Sequence, residues 1–453
     1  MANTQIIWFR QDLRLADQAA VLAAAGAGPV IAVYVLDEES EAVRPMGSAS
    51  RWWLHHSLQM LDADLRSLGG RLLLLRGRAH EKLLGLAAEC DAGAIHALRH
   101  SEPWCSSIEA KLGRRLILHD GGTLVRPGVV RSKIGEPYRV FTPYWRSHAA
   151  FMPPALPRPR PQQWQFAEAL GGERLEDWKL LPNAPDWTRG FADWRPGEAG
   201  ALQALAAFSP QATNYAERRN FPGEEGTSRL SPHLHFGEIS PATVWHATSG
   251  SDAFQRQLVW RDFAHELLQL FPDEAVRAHR PAFEKMRWTQ TAAGEGAQWL
   301  AAWQRGRTGY PLVDAGMRQL WQTGWMHNRV RMVVASFLVK HLRIDWRAGE
   351  QWFWDTLVDA DLANNAMGWQ WVMGSGVDSS PYYRIFAPVG QSEKFDAGDY
   401  IRCFVPELSH LPNSRIHAPW EGGPPPGAYP DRIVEHKAAR EAALAAYAAI
   451  QTQ

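Results

Sequence analysis

Residues 324–371 combine tryptophans, acids, amides and arginines at helical spacings. Asn328, Arg331 and Met332 fall on one side of a predicted helix, which brings an amide, a guanidinium and a thioether together. Further along, the segment 359–365 carries two aspartates separated by one alanine and followed by paired asparagines. A hydrophobic core is built from Leu, Ile and Val and does not need this mixture. The stretch therefore predicts a pocket for a large, flat, partly polar and redox-active group.

A second polar face is predicted on a helix from about Asp252 to Leu270. Phe254, Gln257 and Arg261 fall at i, i+3 and i+7, with Trp260 beside them. A surface face with one charge and one amide is the simpler interpretation of this helix taken alone.

A third feature is the hydroxyl-rich segment 227–232, which precedes a predicted helix. Ser231 and Ser240 are each followed by proline, so both are predicted N-caps. The free N–H groups and the dipole of a helix start favour a phosphate there, although a simple cap is the alternative. Together with the two polar helix faces, the segment favours a phosphate-bearing aromatic cofactor.

Metal binding is the competing interpretation of the acids and histidines. Asp359 and Asp361 lie two residues apart, but no histidine or third acid stands at ligand spacing. For His233 and His235 we expect one side chain to face solvent and the other to pack locally. The sequence therefore predicts no metal site.

The elements that must position these residues differ between the two halves of the chain. Short apolar runs alternate with helical patterns in the first 120 residues, which predicts a parallel five-stranded α/β sheet. The predicted strands are 6–9, 30–35, 72–75, 94–98 and 116–118. No GxGxxG follows the first strand, so this Rossmann-like region lacks the usual dinucleotide motif.

Prolines crowd residues 152–196 and predict a long connector. The pattern is helical from about residue 198, and an alanine-rich helix is predicted over residues 431–453. We therefore expect an α/β domain at 1–130, a connector at 131–197 and an all-helical domain at 198–453.

Composition gives few further constraints. Lys+Arg and Asp+Glu are both 48, so net charge points to no polyanionic partner, while a local basic face could still bind one. The three cysteines are far apart, and no apolar run reaches 18 residues. Since the N-terminus also lacks a signal pattern, we expect a soluble, cytoplasmic protein.

Six motifs resemble the DNA photolyase/cryptochrome family, and the resemblance extends from residue 5 to residue 437. The motifs are FRQDLRL at 9–15, GTSRLS at 226–231, WRD at 260–262, TGYP at 308–311, GWMHNR at 324–329 and GWQW at 368–371. Class I cyclobutane pyrimidine dimer photolyases are the most similar subgroup.

The resemblance implies a U-shaped FAD in the helical domain. Asn365 matches the residue that faces flavin N5, and residues 227–231 match those that hold the phosphates. The implied cofactor-binding residues are Tyr215, Thr227, Ser228, Arg229, Leu230, Ser231, Gln257, Arg261, Arg331, Asp359, Asp361 and Asn365.

The resemblance also implies damaged DNA as the partner of a monomeric protein. Photolyases flip the lesion out of the duplex, and base flipping by photolyases is an example already established for the family. Trp260 and Trp371 match the aromatic walls of the lesion pocket. The other implied DNA-binding residues are Arg261, Asn328, Arg329, Met332 and Gln391.

In the family, light drives an electron from reduced FAD to the dimer, the ring splits, and the electron returns. Trp369 and Trp346 match the inner and middle members of the family's electron-hopping chain. Trp288 fits best as the outermost member, with Trp299 as the alternative.

Two positions depart from the class I pattern. Gln257 stands where these enzymes usually carry a glutamate that hydrogen-bonds the dimer, so we expect slower repair. Near Glu102 the asparagine of folate-binding members is missing. The second, light-harvesting chromophore is therefore left open between folate, deazaflavin and none.

The sequence thus predicts light-dependent repair of cyclobutane pyrimidine dimers, with Gln257, Asn328, Asn365 and the tryptophan chain as the catalytic set. The alternatives are repair of (6-4) photoproducts and a cryptochrome-like blue-light receptor with a signalling partner. Since little sequence follows the last predicted helix, we expect no signalling tail. A light-independent flavin oxidoreductase is disfavoured because no nicotinamide site is visible.

Overall fold

The computed structural model describes residues 3–168, 171–421, 423–425 and 427–451. These residues form two compact units. The first unit comprises Met1–Asp186, Ala192–Thr213 and Ser228–Pro272. The second unit comprises Trp187–Phe191, Asn214–Thr227 and Asp273–Gln453. The domain boundaries expected at residues 130 and 197 stay a prediction.

A parallel five-stranded sheet forms the centre of the first unit and confirms the predicted fold. The strands are β1 (Gln5–Phe9), β2 (Val30–Leu36), β3 (Leu72–Arg76), β4 (Ala94–Leu98) and β5 (Leu116–His119). Their order is β3-β2-β1-β4-β5, and all four pairings are parallel. β1 and β2 are buried along their whole length, which explains their unbroken apolar sequences.

Helices connect the strands and continue the first unit. They are α1 (Ala19–Ala27), α2 (Ser48–Ser67), α3 (Ala79–Glu89), α4 (Pro103–Leu112), α5 (Phe141–His148) and α6 (Glu198–Phe208). Between α5 and α6 the chain has short 3-10 turns at Ala149–Phe151, Leu175–Trp178 and Thr188–Phe191 and is otherwise irregular where it is described. Proline removes backbone donors and fixes φ, which accounts for this irregular connector.

The helical part of the chain follows. Its helices are α7 (Tyr215–Arg218), α8 (Ser231–His235), α9 (Pro241–Ala247), α10 (Asp252–Leu270), α11 (Gly294–Gln304), α12 (Pro311–Thr323), α13 (Asn328–Ser336), α14 (Trp346–Thr356), α15 (Leu362–Met373), α16 (Pro388–Lys394), α17 (Gly398–Phe404), α18 (Asn413–Ile416) and α19 (His436–Gln451). A π-helical turn, Phe337–His341, continues α13. The helical C-terminal architecture expected from the sequence is confirmed.

Two local predictions in the segment 231–240 were wrong. Ser231 is the first residue of α8 and Leu230 is its N-cap, whereas Ser240 caps α9 as expected by accepting from Thr243 N at 3.0 Å. His233 and His235 are both buried, and His233 Nδ1 bonds Glu238 Oε2 at 2.5 Å. Neither histidine faces solvent, because residues 232–241 form part of the interior of the first unit.

The last helix begins later than predicted. Residues 431–435 are not helical because this segment runs against residues 308–310: Ile433 N donates to Thr308 O and Tyr310 Oη donates to Val434 O. The final part of the prediction, residues 452–453, lies outside the described residues. Among the helices that the structure describes, none is long and apolar enough to cross a membrane.

Candidate functional site

Helix α13 presents the polar face predicted at residues 328–332. His327 caps its start, since its Nδ1 accepts from Arg329 N at 3.2 Å. Burial and the charges of Arg329, Arg331 and Arg219 lower the pKa of His327 to about 4, so the cap is neutral at physiological pH. Asn328 is exposed, and the other polar side chains of the face are half-buried.

Arg331 links α13 to the acidic segment before α15. Its Nη2 lies 2.9 Å from Asp359 Oδ2, and its Nε donates to Met326 O at 2.7 Å. Asp359 is 8% exposed, and its second carboxylate oxygen has no hydrogen-bond partner among the described residues. Buried carboxylate oxygens normally accept a hydrogen bond, so this oxygen is suited to a donor from a bound group.

Asp361 has a structural role that the sequence did not predict. Its Oδ1 accepts from Asn364 N at 2.8 Å and from Asn364 Nδ2 at 2.7 Å. The aspartate is therefore the N-cap of α15, which fixes the start of the helix that carries Asn365, Trp369 and Trp371.

Asn365 is oriented by a buried glutamate on α14. Its Nδ2 donates to Glu350 Oε1 at 2.8 Å, and Glu350 is 4% exposed. Since the amide nitrogen is engaged there, the amide oxygen is left to face a ligand. Sequence reasoning missed Glu350 because it lies 15 residues from Asn365 and on a different helix.

The Trp369 ring packs against other aromatic rings. Its ring lies 5.1 Å from Phe353 and 6.5 Å from Trp303, both nearly edge-on. A Cβ on Gly349 would come within 2.1 Å of the Trp369 ring, so the glycine permits α14 to approach the indole. Gly349 lies about 4.5 Å along the helix axis from Trp346, the first residue of α14.

The other members of the predicted tryptophan chain differ in exposure. Trp346 is fully buried, and the Arg347 guanidinium lies 5.0 Å from its ring centre. Trp288 and Trp299 are both half-buried. The residue after Trp288, Thr289, donates from N to Arg343 O at 2.7 Å and thus joins Trp288 to the segment before Trp346. The choice of Trp288 as the outermost member stays a prediction.

Three arginines of the second unit form an arginine cluster: Arg219, Arg329 and Arg384. Burial and repulsion from Arg219 and Arg384 lower the pKa of Arg329. None of the three forms an ion pair in the part of the chain that is described. Sequence reasoning missed Arg219 and Arg384 because nothing in the local pattern joins them to Arg329.

Each arginine of the cluster lies over an aromatic ring. The guanidinium carbon of Arg219 lies 5.1 Å from the centre of the Tyr215 ring. That of Arg329 lies 4.4 Å from the Phe395 ring centre, and that of Arg384 lies 5.7 Å from the Phe386 ring centre. Arg329 Nη2 also donates to Asn220 Oδ1 at 2.5 Å. Aromatic faces hold guanidinium groups without neutralising them, so the cluster keeps its charge for an anion.

Two predicted residues of the second unit stand apart from these contacts. Trp371 is half-buried near the end of α15, and Gln391 is half-buried on α16. Tyr215 begins α7 and is buried beneath Arg219.

The first unit carries the predicted face of α10. Trp260 stacks on Phe141 with ring centres 3.6 Å apart and planes 8° apart, so one face of the indole is covered. Gln257 donates to Ala253 O of its own helix at 3.2 Å. Arg261 donates to Gly122 O at 2.6 Å and to Leu234 O at 3.3 Å, so two of its nitrogens hold backbone.

The predicted phosphate segment has a strained turn. Arg229 has φ +52°, and its guanidinium lies 5.2 Å from the Trp194 ring. Leu230 N donates to Ser228 Oγ at 3.3 Å, and Ser231 begins α8. Gly226 precedes the segment, where a Cβ would come within 2.5 Å of Arg218 O. Thr227 is half-buried.

Comparison with known proteins identifies this architecture. Residues 5–162 match the model of DNA photolyase, and residues 254–449 match the FAD binding domain of DNA photolyase. A deoxyribodipyrimidine photo-lyase of Agrobacterium fabrum is 47% identical and covers 98% of each chain. The chain belongs to the DNA photolyase/cryptochrome family.

Solved structures of the family agree with this assignment. A bacterial class III photolyase from Agrobacterium tumefaciens has a TM-score of 0.94 and 46% identity, covering 100% of this chain and 98% of that one. An archaeal photolyase from Sulfolobus tokodaii, described with two FAD molecules, has a TM-score of 0.83 and 29% identity, covering 98% and 100%. The expected photolyase-type enzyme with an FAD-binding domain is confirmed, while these matches do not support class I specifically.

The residues of the second unit fit FAD. The unpartnered oxygen of Asp359 requires a donor, and the ribityl hydroxyls and ring N–H of FAD are such donors. The oriented amide of Asn365 supplies a second fixed contact. In the described residues no group of three or more metal-ligating side chains occurs.

The Gly349 contact can be tested by adding one methyl group. Gly349→Ala should lower the free energy of unfolding by about 1–3 kcal/mol, because the displaced indole outweighs the helix-propensity gain of about 1 kcal/mol. The displaced Trp369 should also slow light-driven reduction of the bound flavin. Denaturant titration and flavin absorbance under blue light measure the two effects.

Gly368→Ala is the matched control. Gly368 lies on α15 next to Trp369, but nothing stands within 4 Å of its added Cβ. This variant should keep the wild-type reduction rate and gain slightly in stability. Equal behaviour of the two variants would contradict the packing role of Gly349.

Proposed function

We propose that this protein repairs cyclobutane pyrimidine dimers in DNA by a light-driven reaction with reduced FAD. The observation that carries the proposal is the arginine cluster, whose three cations form no ion pair with any described residue and include Arg329 in the first turn of α13. The same helix carries Asn328 and Met332, which match lesion-facing positions of the family. A cationic cluster beside such residues suits a DNA backbone on both sides of a flipped lesion.

The proposed DNA-binding residues bind phosphates or stack on bases. The arginine cluster would bind phosphates, and Gln391 would contact the strand beside them. Trp371 would stack on the flipped bases, as would Trp260, whose other face is already covered by Phe141. Stacking and phosphate contacts together offset the cost of opening the duplex.

The flavin side of the proposal rests on fixed polar contacts. Asp359, Asn365 and Arg331 would hold the ring and ribityl regions, Tyr215 would contact the cofactor, and residues 227–231 would hold the phosphates. Bound FAD supplies the electron that light drives into the dimer. Trp369, Trp346 and Trp288 would relay electrons inward from the surface. Asp361 would contribute mainly by capping α15, which positions Asn365. Arg261 would contribute mainly by binding the backbone oxygens of Gly122 and Leu234.

The matched structures support a class III assignment, since the chain of 46% identity and full coverage is described as class III. They also support a second chromophore, because the archaeal relative is described with a second FAD as a light-harvesting cofactor. Glu102, the predicted folate position, is buried, and its Oε2 lies 3.8 Å from His100 Nδ1 and from Cys105 Sγ.

A repair assay tests the proposed function. Reduced protein is illuminated with blue light on DNA carrying either dimers or (6-4) photoproducts, and loss of each lesion is measured against a dark control. We expect light-dependent loss of dimers alone. Loss of (6-4) photoproducts instead would show a different lesion preference, and loss of neither would favour the photoreceptor alternative.

Arg384→Ala should weaken binding to dimer-containing DNA. The slope of log affinity against log salt should become less steep by about one, because one phosphate contact is lost. Arg440 is an exposed arginine on α19, and the control variant Arg440→Ala should leave the affinity and the salt slope unchanged. Fluorescence anisotropy over a salt series measures both, and an unchanged slope in the first variant would exclude a phosphate at Arg384.

Gln257→Glu should raise the quantum yield of dimer splitting. Glutamine keeps the reach of the side chain, but it cannot supply the charge or proton that a carboxyl group supplies at this position. Lesion loss per absorbed photon compares the two proteins at saturating DNA. A yield equal to that of the wild type would show that the side chain at 257 does not limit repair.

Glu350→Ala should speed air oxidation of the photoreduced flavin severalfold. Without the Glu350 carboxylate the Asn365 amide keeps only its longer bond to the backbone oxygen of residue 350, at 3.3 Å, so its orientation is less restricted. Glu350→Gln should have a smaller effect because an amide oxygen still accepts from Asn365 Nδ2. Flavin absorbance after a light pulse gives the rates, and identical rates in all three proteins would contradict the orienting role.

A further inference from the structure

Lys340 is a buried lysine with no acidic partner. It lies in the π-helical turn Phe337–His341 and is 1% exposed. Its Nζ donates to Arg384 O at 2.9 Å and lies 5.2 Å from the centre of the Tyr382 ring. Within the described ranges it forms no ion pair. Buried ammonium groups are costly without a carboxylate, so this lysine needs an explanation.

The backbone oxygen that Lys340 holds belongs to a member of the arginine cluster. Burial and then repulsion from Arg219 and Arg384 lower the pKa of Arg329, so like charges oppose the assembly of the cluster. Arg329 is secured by Asn220 and Phe395, whereas Arg384 is exposed and follows an exposed tyrosine, Tyr383. The contact with Lys340 is therefore a main-chain anchor for Arg384 from the protein interior.

Helix α13 and its π-helical continuation position two of the arginines, Arg329 and Arg384. Helix α13 begins with Asn328 and Arg329, and the π-helical turn that continues it carries Lys340. A π-helical turn shifts the direction of the side chains that follow it, and such turns are frequent at functional sites. Here the turn places Lys340 beneath the segment that carries Arg384.

We propose that Lys340 is a positioning residue that fixes Arg384 in the arginine cluster and couples phosphate binding there to partial uptake of a proton. The proposal rests on the proposed function, because it takes the phosphate to be that of DNA. The proton comes from solvent and converts the Lys340 amine to an ammonium. Either form can donate to Arg384 O, so the anchor persists while the charge changes.

The electrostatic surroundings support this coupling. Burial and then the charge of Arg384 lower the pKa of Lys340 to about 7. The other titratable groups around it are His341 and Arg343 after it in the chain, Tyr382 beside Arg384, and His436 and Tyr447 on α19. Burial lowers the pKa of His341 to about 3 and also lowers that of His436, and it raises the pKa of Tyr382. These three shifts move the titration of His341, His436 and Tyr382 away from the range between pH 7 and pH 8.5.

The sign of the effect follows from linkage. A phosphate at Arg384 offsets the repulsion that Lys340 feels, so binding raises the pKa of the amine. The bound state then holds more protons than the free state, and affinity for DNA rises as pH falls. A rise of one pKa unit corresponds to about a sevenfold gain in affinity between pH 8.5 and pH 6.

The test measures affinity for a dimer-containing duplex in the dark from pH 6 to pH 8.5 at constant ionic strength, with the FAD-loaded protein. We expect Lys340→Met to weaken binding severalfold at pH 7 and to remove most of the pH dependence. Lys437→Met, an exposed lysine on α19, should behave as the wild type. A wild-type slope in Lys340→Met, or an equal loss at every pH, would overturn the proposal.

A calorimetric measurement on the wild type alone covers the case in which Lys340→Met does not fold. Binding heats in two buffers of different ionisation enthalpy should show uptake of a fraction of a proton at pH 7.5, and no uptake would overturn the proposal. The Arg384→Ala variant distinguishes failure of the proton coupling from failure of the proposed phosphate site. If that variant weakens binding while Lys340→Met does not, the coupling fails alone; if Arg384→Ala has no effect either, the phosphate site itself fails.

Discussion

The ion pair between Arg331 and Asp359 is the contact on which the arrangement of the second unit depends. It joins α13, which carries the residues matched to the lesion, to the segment that leads into α15, which carries Asn365 and the tryptophans. The Asp359 carboxylate is almost fully buried, so removal of either partner would leave a costly unpaired charge. The pair therefore holds α13, with its proposed DNA-binding residues, next to the segment that leads to the proposed flavin-binding residues of α15.

Positive charge is concentrated locally in a chain that has no net charge. The arginine cluster keeps its three charges because aromatic rings and an asparagine support it instead of carboxylates. Such support holds the side chains in place without neutralising them. Binding a polyanion then relieves repulsion already present in the free protein, which makes affinity depend on salt and on nearby titratable groups.

The sequence was sufficient for the sheet, the succession of helices and the bounds of α10, because apolar periodicity determines these features locally. It was not sufficient for side chains whose partners lie far along the chain. Glu350 reaches Asn365 only after α14 and α15 have packed, and Arg384 joins Arg329 only in the folded unit. The burial of His233 escaped prediction for a different reason: its partner Glu238 is only five residues away, but the local pattern does not show that both side chains lie in the interior.

The flavin dissociation constant and the DNA dissociation constant of Asp359→Asn, measured on one preparation, test this account most directly. Asparagine preserves the shape of the side chain but removes the charge that faces Arg331. Since α13 and the segment before α15 would lose their common anchor, both affinities should fall together, by about tenfold or more. Weaker flavin binding with unchanged affinity for dimer-containing DNA would contradict the claim that one ion pair organises both sides.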